Sequence, residues 1–357
     1  MNRKEERSMS KSRKNRKKKP FLWILSILLL LLIFVFVVYL FLPKEFKEKL
    51  NLPEVLPTAT PEPDFDVVSR YSKERAFAVM IDNNIGNNKH AGLQDAYIVY
   101  EIIVEGGLTR LMALYKDVNT ELIGPIRSSR HYYLDYALEN GAVYAHYGWS
   151  EFAKNDIATL GVENLNGMTN ASDAFWRDRK IAAPHNVFTN IETLKESATK
   201  RGYSLTSNQE LLLNYQLEEV SLDAREDKIV ANKVVIPYSN YINTSYVYDA
   251  ENKVYLRSMN GKAHVDKVTG KQYTAKNIIV EKVSNYSLDR EGRQDIRNIG
   301  EYDGYYITNG YAVPIKCKKE KRSSQTVYTY LDGTEIDVND GNTFIQIQPA
   351  NRNTTIE

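Results

Sequence analysis

The sequence predicts an α/β or α+β N-terminal ectodomain followed by a mostly β C-terminal domain, both held outside a membrane by a single N-terminal transmembrane helix. Three observations predict it. Phe21 to Leu42 is a run of 22 residues without a charge, rich in Leu, Ile, Val and Phe. Ala142 to Gly161 reads as strand, tight turn and helix, the grammar of an α/β domain. From about Asp227 the chain breaks into short β-rich runs separated by turn dipeptides such as Asn260-Gly261, Asn309-Gly310 and Asp332-Gly333. A length of 357 residues is enough for two domains that each close a core.

At 1.5 Å per residue the apolar run 21–42 spans a bilayer core of roughly 30 Å. A cleaved signal peptide would have a shorter apolar region, about 7 to 15 residues, followed by small residues. Pro43, Lys44 and Glu45 stand there instead. Residues 1–20 form a basic tail with ten Lys or Arg against Glu5 and Glu6, a net charge of +8. Lys and Arg beside a span stay on the cytoplasmic side, so the expected place is the plasma membrane, single-pass, with the N-terminus cytoplasmic and the C-terminal domains extracytoplasmic. The whole chain carries +2, which leaves six negative charges net on residues 21–357 and argues against a nucleic-acid partner. Cys317 is the only cysteine, so there is neither an intrachain disulfide nor a lipobox-type cysteine. Residues 43–70, with Pro43, Pro53, Pro57, Pro61 and Pro63, read as a semi-rigid stalk.

The α/β domain is expected over 71–215. Ala76–Asp82 is a short apolar run suited to a buried strand, bounded by the turn-rich Asn83, Asn84 and Gly86. Ala96–Glu105 and Leu108–Tyr115 form a hairpin through Gly106-Gly107. If those glycines are the two-residue turn, Ile103 faces Arg110 and Glu101 faces Met112. Glu101, Glu105 and Arg110 then share one face. Ile123–Arg130 reads IGPIRSSR: Gly124-Pro125 breaks the preceding strand, Ser128 or Ser129 caps a helix running through Leu138, and Gly141 stops it. Unpaired N–H groups at that helix start, beside Arg127 and Arg130, are what an anion needs. Ala142–Tyr147 is a strand with His146 near its end, and Ser150 caps the helix Glu151–Leu160. Phe175–Asn186 is a loop carrying Arg177, Arg179, Lys180, His185 and Asn186, the makings of a basic lid. A helix over Asn190–Lys200 follows.

The β-rich domain is expected over 226–350, with strands at Lys233–Pro237, Thr244–Tyr248, Val254–Arg257, Asn277–Val283, Gly304–Thr308, Tyr311–Lys316, Thr326–Leu331 and Thr343–Gln348. His264 and Asp266 lie two apart on one strand face, too few for a metal site, so no metal and no cofactor are expected.

DAYIVYEIIVEGGLTRLMALY (Asp95–Tyr115), IGPIRSSR, HYGWS (His146–Ser150) and APHN (Ala183–Asn186) resemble the YerB-like family. So do NGKAHVDKVTG (Asn260–Gly270), DREGRQDIRNIG (Asp289–Gly300) and FIQIQP (Phe344–Pro349). The resemblance implies a membrane-attached, extracytoplasmic cell-envelope protein of Gram-positive bacteria with two domains of unknown function. Family members are usually attached as lipoproteins, whereas this chain offers a transmembrane helix.

Standard catalytic signatures are missing: no Gly-x-Ser-x-Gly elbow, no phosphate-binding loop, no His-Glu-x-x-His helix and no Cys close to a His. Whether the chain is an enzyme stays open. The favoured expectation is an anion site in which Arg110, Arg127, Ser128, Ser129, Arg130, Arg177, Arg179 and Asn186 hold a phosphate or carboxylate of a cell-wall polymer or lipid-linked precursor. Glu101 and Glu105 would orient the arginines. One alternative is an envelope glycopolymer hydrolase or phosphotransferase using Glu101, Glu105, His146 or His185. The other is a scaffold whose β domain docks envelope proteins.

Overall fold

The structure, a computed structural model, describes residues 18–43, 46, 63–84, 86 and 88–357, leaving aside the side chains of 18–22, 24 and 25. Most of the basic tail and of the Pro-rich stretch therefore lies outside the described residues. The chain divides into two units, 1–62 and 63–357.

The first unit contains the helix Lys18–Phe41, with exposed side chains such as Leu30, Leu32 and Phe34 along it. Among the described residues no helix is long and apolar enough to cross a membrane.

The second unit is built on an eleven-stranded mixed sheet. Its first strand, β1 (Phe77–Asp82), is buried at every residue, as an apolar run covered on both faces should be. It pairs antiparallel with β3 (Thr109–Tyr115) and parallel with β4 (Val143–His146), which is followed at the sheet edge by β5 (Asn164–Asn166). On its other side β3 pairs with β2 (Ile98–Ile103). The next strand is Thr343–Pro349, from near the C-terminus. It runs parallel to β2 on one side and to Asn277–Val283 on the other. Gly300–Thr308, Tyr311–Lys319 and Val327–Tyr330 complete the row. The sheet thus runs without a break through residues of both expected domains.

One face of the sheet, with Ala78, Met80, Tyr100, Ile102, Met112 and Leu114, packs on the short helix Tyr133–Glu139. The other face, with Phe77, Val79, Ile81, Val99, Leu111 and Ala113, meets the helix Ile191–Lys200 and a second sheet. That sheet contains Lys233–Pro237, Asn243–Asp249 and Val254–Met259.

Two local expectations are corrected. The β2–β3 hairpin closes around three residues, Glu105–Gly107, with the Val104 N–H donating to the Leu108 carbonyl at 2.7 Å. Gly106 and Gly107 both sit at φ +70°, where an L side chain is strained. The register is therefore Ile102 opposite Arg110 and Glu101 opposite Leu111. One step of register reverses every side chain, and Glu101 and Arg110 point to opposite faces. The second correction concerns IGPIRSSR, which does not lead directly into a capped helix. Ile126 bridges Ile81, Ser129 bridges Trp149, and the helix begins only at Tyr133 with no side-chain cap. With seven residues and no serine cap, it provides no anion cradle.

Candidate functional site

IGPIRSSR threads between three neighbours. The Ile126 N–H donates to Val187 O at 2.7 Å and the Arg127 N–H to Met80 O at 3.0 Å, while the Tyr147 N–H donates back to Arg127 O at 3.0 Å. Gly124 makes the entry possible: at φ +148°, a Cβ there would stand 2.9 Å from the Val187 carbonyl and from the Phe188 ring. This tie between the end of β1 and the loop after β4 carries Arg127 and Arg130 to one place.

That place is a cleft of about 540 Å³ lined by Asp82, Asn84, Glu105, Arg110, Arg127, Arg130, Trp149 and Glu151, with Glu291 and Arg293 reaching in from the C-terminal half. Its cations are not equivalent. Arg130 forks onto Glu105, Nε to Oε1 at 2.5 Å and Nη2 to Oε2 at 2.9 Å. Burial pushes the Glu105 carboxyl up, but the hydrogen bonds and charge of Arg130 outweigh it and hold it below the usual carboxylate range. Arg127 Nε lies 3.3 Å from Asp82 Oδ2, yet it is buried without a hydrogen-bond partner. The Asp82 carboxylate is occupied by His185 Nδ1 at 2.5 Å and the Asn84 N–H at 3.0 Å. Arg110 is 7% exposed and donates Nη1 to the Ser128 carbonyl. It makes no ion pair among the described residues. Burial, and then the charges of Arg130 and Arg127, push its guanidinium down to about 10.

The cleft gathers Glu105, Arg110, Arg127 and Arg130 from the expected site, with His185 adjoining through Asp82. Other expected residues stand elsewhere. Ser128 Oγ donates to Tyr147 O at 3.0 Å, and buried Ser129 accepts from the Tyr144 hydroxyl at 2.9 Å. Arg177 donates to Asn186 Oδ1 at 2.6 Å and lies over the Tyr147 ring, while Arg179 is exposed. His146 is fully buried, with Nδ1 against Gly148 O at 2.7 Å and Nε2 against Asn164 Oδ1 at 3.2 Å. Burial pushes it down to about 4. Both partners are acceptors and a neutral imidazole has one N–H, so it donates to one of them; it is the buried core histidine that a lone His usually becomes.

Glu101 belongs to a different network, on the opposite face. Arg257 Nη2 donates to its Oε2 at 2.9 Å with both side chains 0% exposed, and Thr244, Thr109 and Asn83 supply three more hydrogen bonds. Arg257 Nη1 also meets His264 Nδ1. A guanidinium only donates, so His264 Nδ1 must accept and its Nε2 carries the proton. His264 Nε2–H then donates to His90 Nδ1 at 2.8 Å, and His90 Nε2–H to the Asp82 carbonyl at 2.5 Å. A buried one-way chain of hydrogen bonds therefore ends on the backbone of a cleft residue.

Asp82, Trp149 and Arg257 are absent from the sequence-based site. Asp82 alone left a signal, a carboxylate closing an otherwise apolar strand. Among the described residues no three His, Cys, Asp or Glu side chains group as metal ligands.

Residues 64–204 match a family described as "Protein of unknown function (DUF3048) N-terminal domain", and residues 233–345 match its C-terminal domain. A Bacillus subtilis (strain 168) protein named "Putative lipoprotein YerB" is 29% identical over 283 residues, covering 78% of this chain and 83% of that protein. The crystal structure of the YerB protein from Bacillus subtilis superimposes with a TM-score of 0.72 at 26% identity, over 83% of this chain and 100% of that one.

Proposed function

The chain belongs to the YerB-like family, whose two domains are of unknown function, and we propose that this member binds an anionic cell-envelope ligand, phosphate or carboxylate, in the arginine-lined cleft. Arg110 is the observation that carries the reading. A buried guanidinium with one backbone acceptor and two cationic neighbours, offset only in part by the nearby Glu105 carboxylate, is under-compensated, and an anion in the cleft would supply the missing partner. Arg130 and Glu105 satisfy one another and act as a fixed wall. Glu105, held ionised by Arg130, suits an orienting group better than a general acid.

The N-terminal sequence and the relative support a place of action at the membrane. The uncharged run 21–42 of the sequence, if helical throughout, would match a bilayer core of roughly 30 Å. The basic residues before it favour a cytoplasmic N-terminus. The relative is named as a lipoprotein, which supports an extracytoplasmic, membrane-attached protein; here the helix takes the part of the lipid.

The test is calorimetric titration of the detergent-solubilised full chain with inorganic phosphate, pyrophosphate, acetate and glucuronate. Losing a charge-assisted hydrogen bond of roughly 1.5–3 kcal/mol should weaken binding about 10- to 100-fold in Arg110→Gln. Binding that survives Arg110→Gln unchanged, or no binding by the wild type, would overturn the proposal.

A further inference from the structure

A lone phosphate or carboxylate does not need 540 Å³, a volume typical of sites for small organic ligands, roughly 300–1,000 Å³. The wall beside the arginines is aromatic. Trp149 borders the cleft, and its indole rests on the imidazole of His146, with ring centroids 5.6 Å apart and 41° between the planes. His146 is itself fully buried, between Gly148 O and Asn164 Oδ1. The backbone fixes the platform relative to the arginines: the Ser129 N–H donates to Gly148 O at 2.9 Å and the Ser150 N–H to Ser129 O at 3.2 Å. The same cleft is lined by further acceptors, the carboxylate of Glu151 and the amide oxygen of Asn84.

We infer that the anionic group is carried on a sugar ring that stacks on Trp149, directs its hydroxyls to Asn84 and Glu151, and places its phosphate or carboxylate on Arg110. The inference rests on the anion-binding reading. A flat aromatic platform flanked by acceptors matches a pyranose, which has an apolar face and a rim of hydroxyl donors. A peptide would call for a free strand edge, but the backbone on either side of Trp149 is already paired with Ser129.

Four probes separate the contributions in titrations of the full chain in detergent: inorganic phosphate, glucose 1-phosphate, acetate and glucuronate. At least one sugar anion should bind about tenfold or more tighter than its sugar-free counterpart, an increment worth about 1.4 kcal/mol. Trp149→Ala should erase that increment and leave phosphate binding within about twofold, a split expected of a stacking platform. Trp149→Phe should keep most of the increment, so it decides the question even if the alanine variant does not fold. A preference for glucose 1-phosphate or for glucuronate identifies which anion the sugar carries. Equal affinity for sugar anions and simple anions, unchanged in the Trp149 variants, overturns the sugar assignment while the anion site stands. Failure of all four probes to bind removes both.

Discussion

Two glutamates four residues apart on one hairpin have unlike fates, and burial decides the difference. Glu105 and Arg130 are 23% and 14% exposed, whereas Glu101 and Arg257 are both 0%. Breaking a buried pair by removing one partner strands a charge at a cost of about 3–5 kcal/mol, whereas a pair open to water contributes about 0–1 kcal/mol. Glu101→Leu should therefore move the urea midpoint far more than Glu105→Leu, and Glu101→Leu with Arg257→Met should recover part of the loss. Equal midpoints for the two single variants would contradict this ranking. The sequence shows both glutamates but not their partners, because Arg257 lies 156 residues from Glu101. Arg110, Arg127 and Arg130 were legible because each stands at a strand end or turn. Trp149 was not, since an aromatic beside a turn is as often packing as platform.

Elements follow the same logic of faces. Lys233–Pro237 and Asn277–Val283 have the bounds that the sequence predicts, for opposite reasons. The first alternates exposed and buried residues; the second is buried at six of its seven positions. The β2–β3 turn was misread because Gly-Gly suits two-residue and three-residue loops alike, and alternation cannot detect a shift of one when both faces are apolar. The His90–His264 chain joins the segment after β1 to the second sheet, and it works only with neutral imidazoles. A second proton on His264 would point at Arg257, and one on His90 would point at the His264 N–H. Burial pushes His90 down from 6.5 to about 4, with Arg257, Asp82 and Asp266 as the charged groups around it. Burial and then Arg257 push His264 well below its ordinary value. The unfolded state therefore binds these protons first. The stability they contribute is complete above pH 6.5 and is lost as pH falls through 6.5 toward 4, on the order of 3 kcal/mol for His90 alone. Urea denaturation at pH 7.5 and 4.5 should show the drop, with a smaller drop in His90→Asn; equal slopes for the two proteins would rule out the assignment.

For the whole molecule, the decisive strand is Thr343–Pro349, buried at all seven residues between β2 and Asn277–Val283. A run buried on both faces reads the same wherever it pairs, so the sequence identified the strand and could not place it beside β2, whose first residue, Ile98, lies 245 residues earlier. Two segments that look like separate domains share one hydrogen-bonded layer. Residues 63–225 expressed alone should lack a cooperative thermal transition and dispersed amide signals, and co-expression with 226–357 should restore both. A cooperative fold of 63–225 by itself would refute the shared-sheet dependence. The same strand sets a schedule. At about 5–20 residues per second, synthesis leaves roughly 10–50 s between the emergence of β2 and of its parallel neighbour. For that interval the nascent chain carries an open, apolar strand edge, the kind that recruits wrong partners. Closing the sheet waits for Thr343–Pro349, and a chaperone that masks β2 until then would guard the edge while it is open.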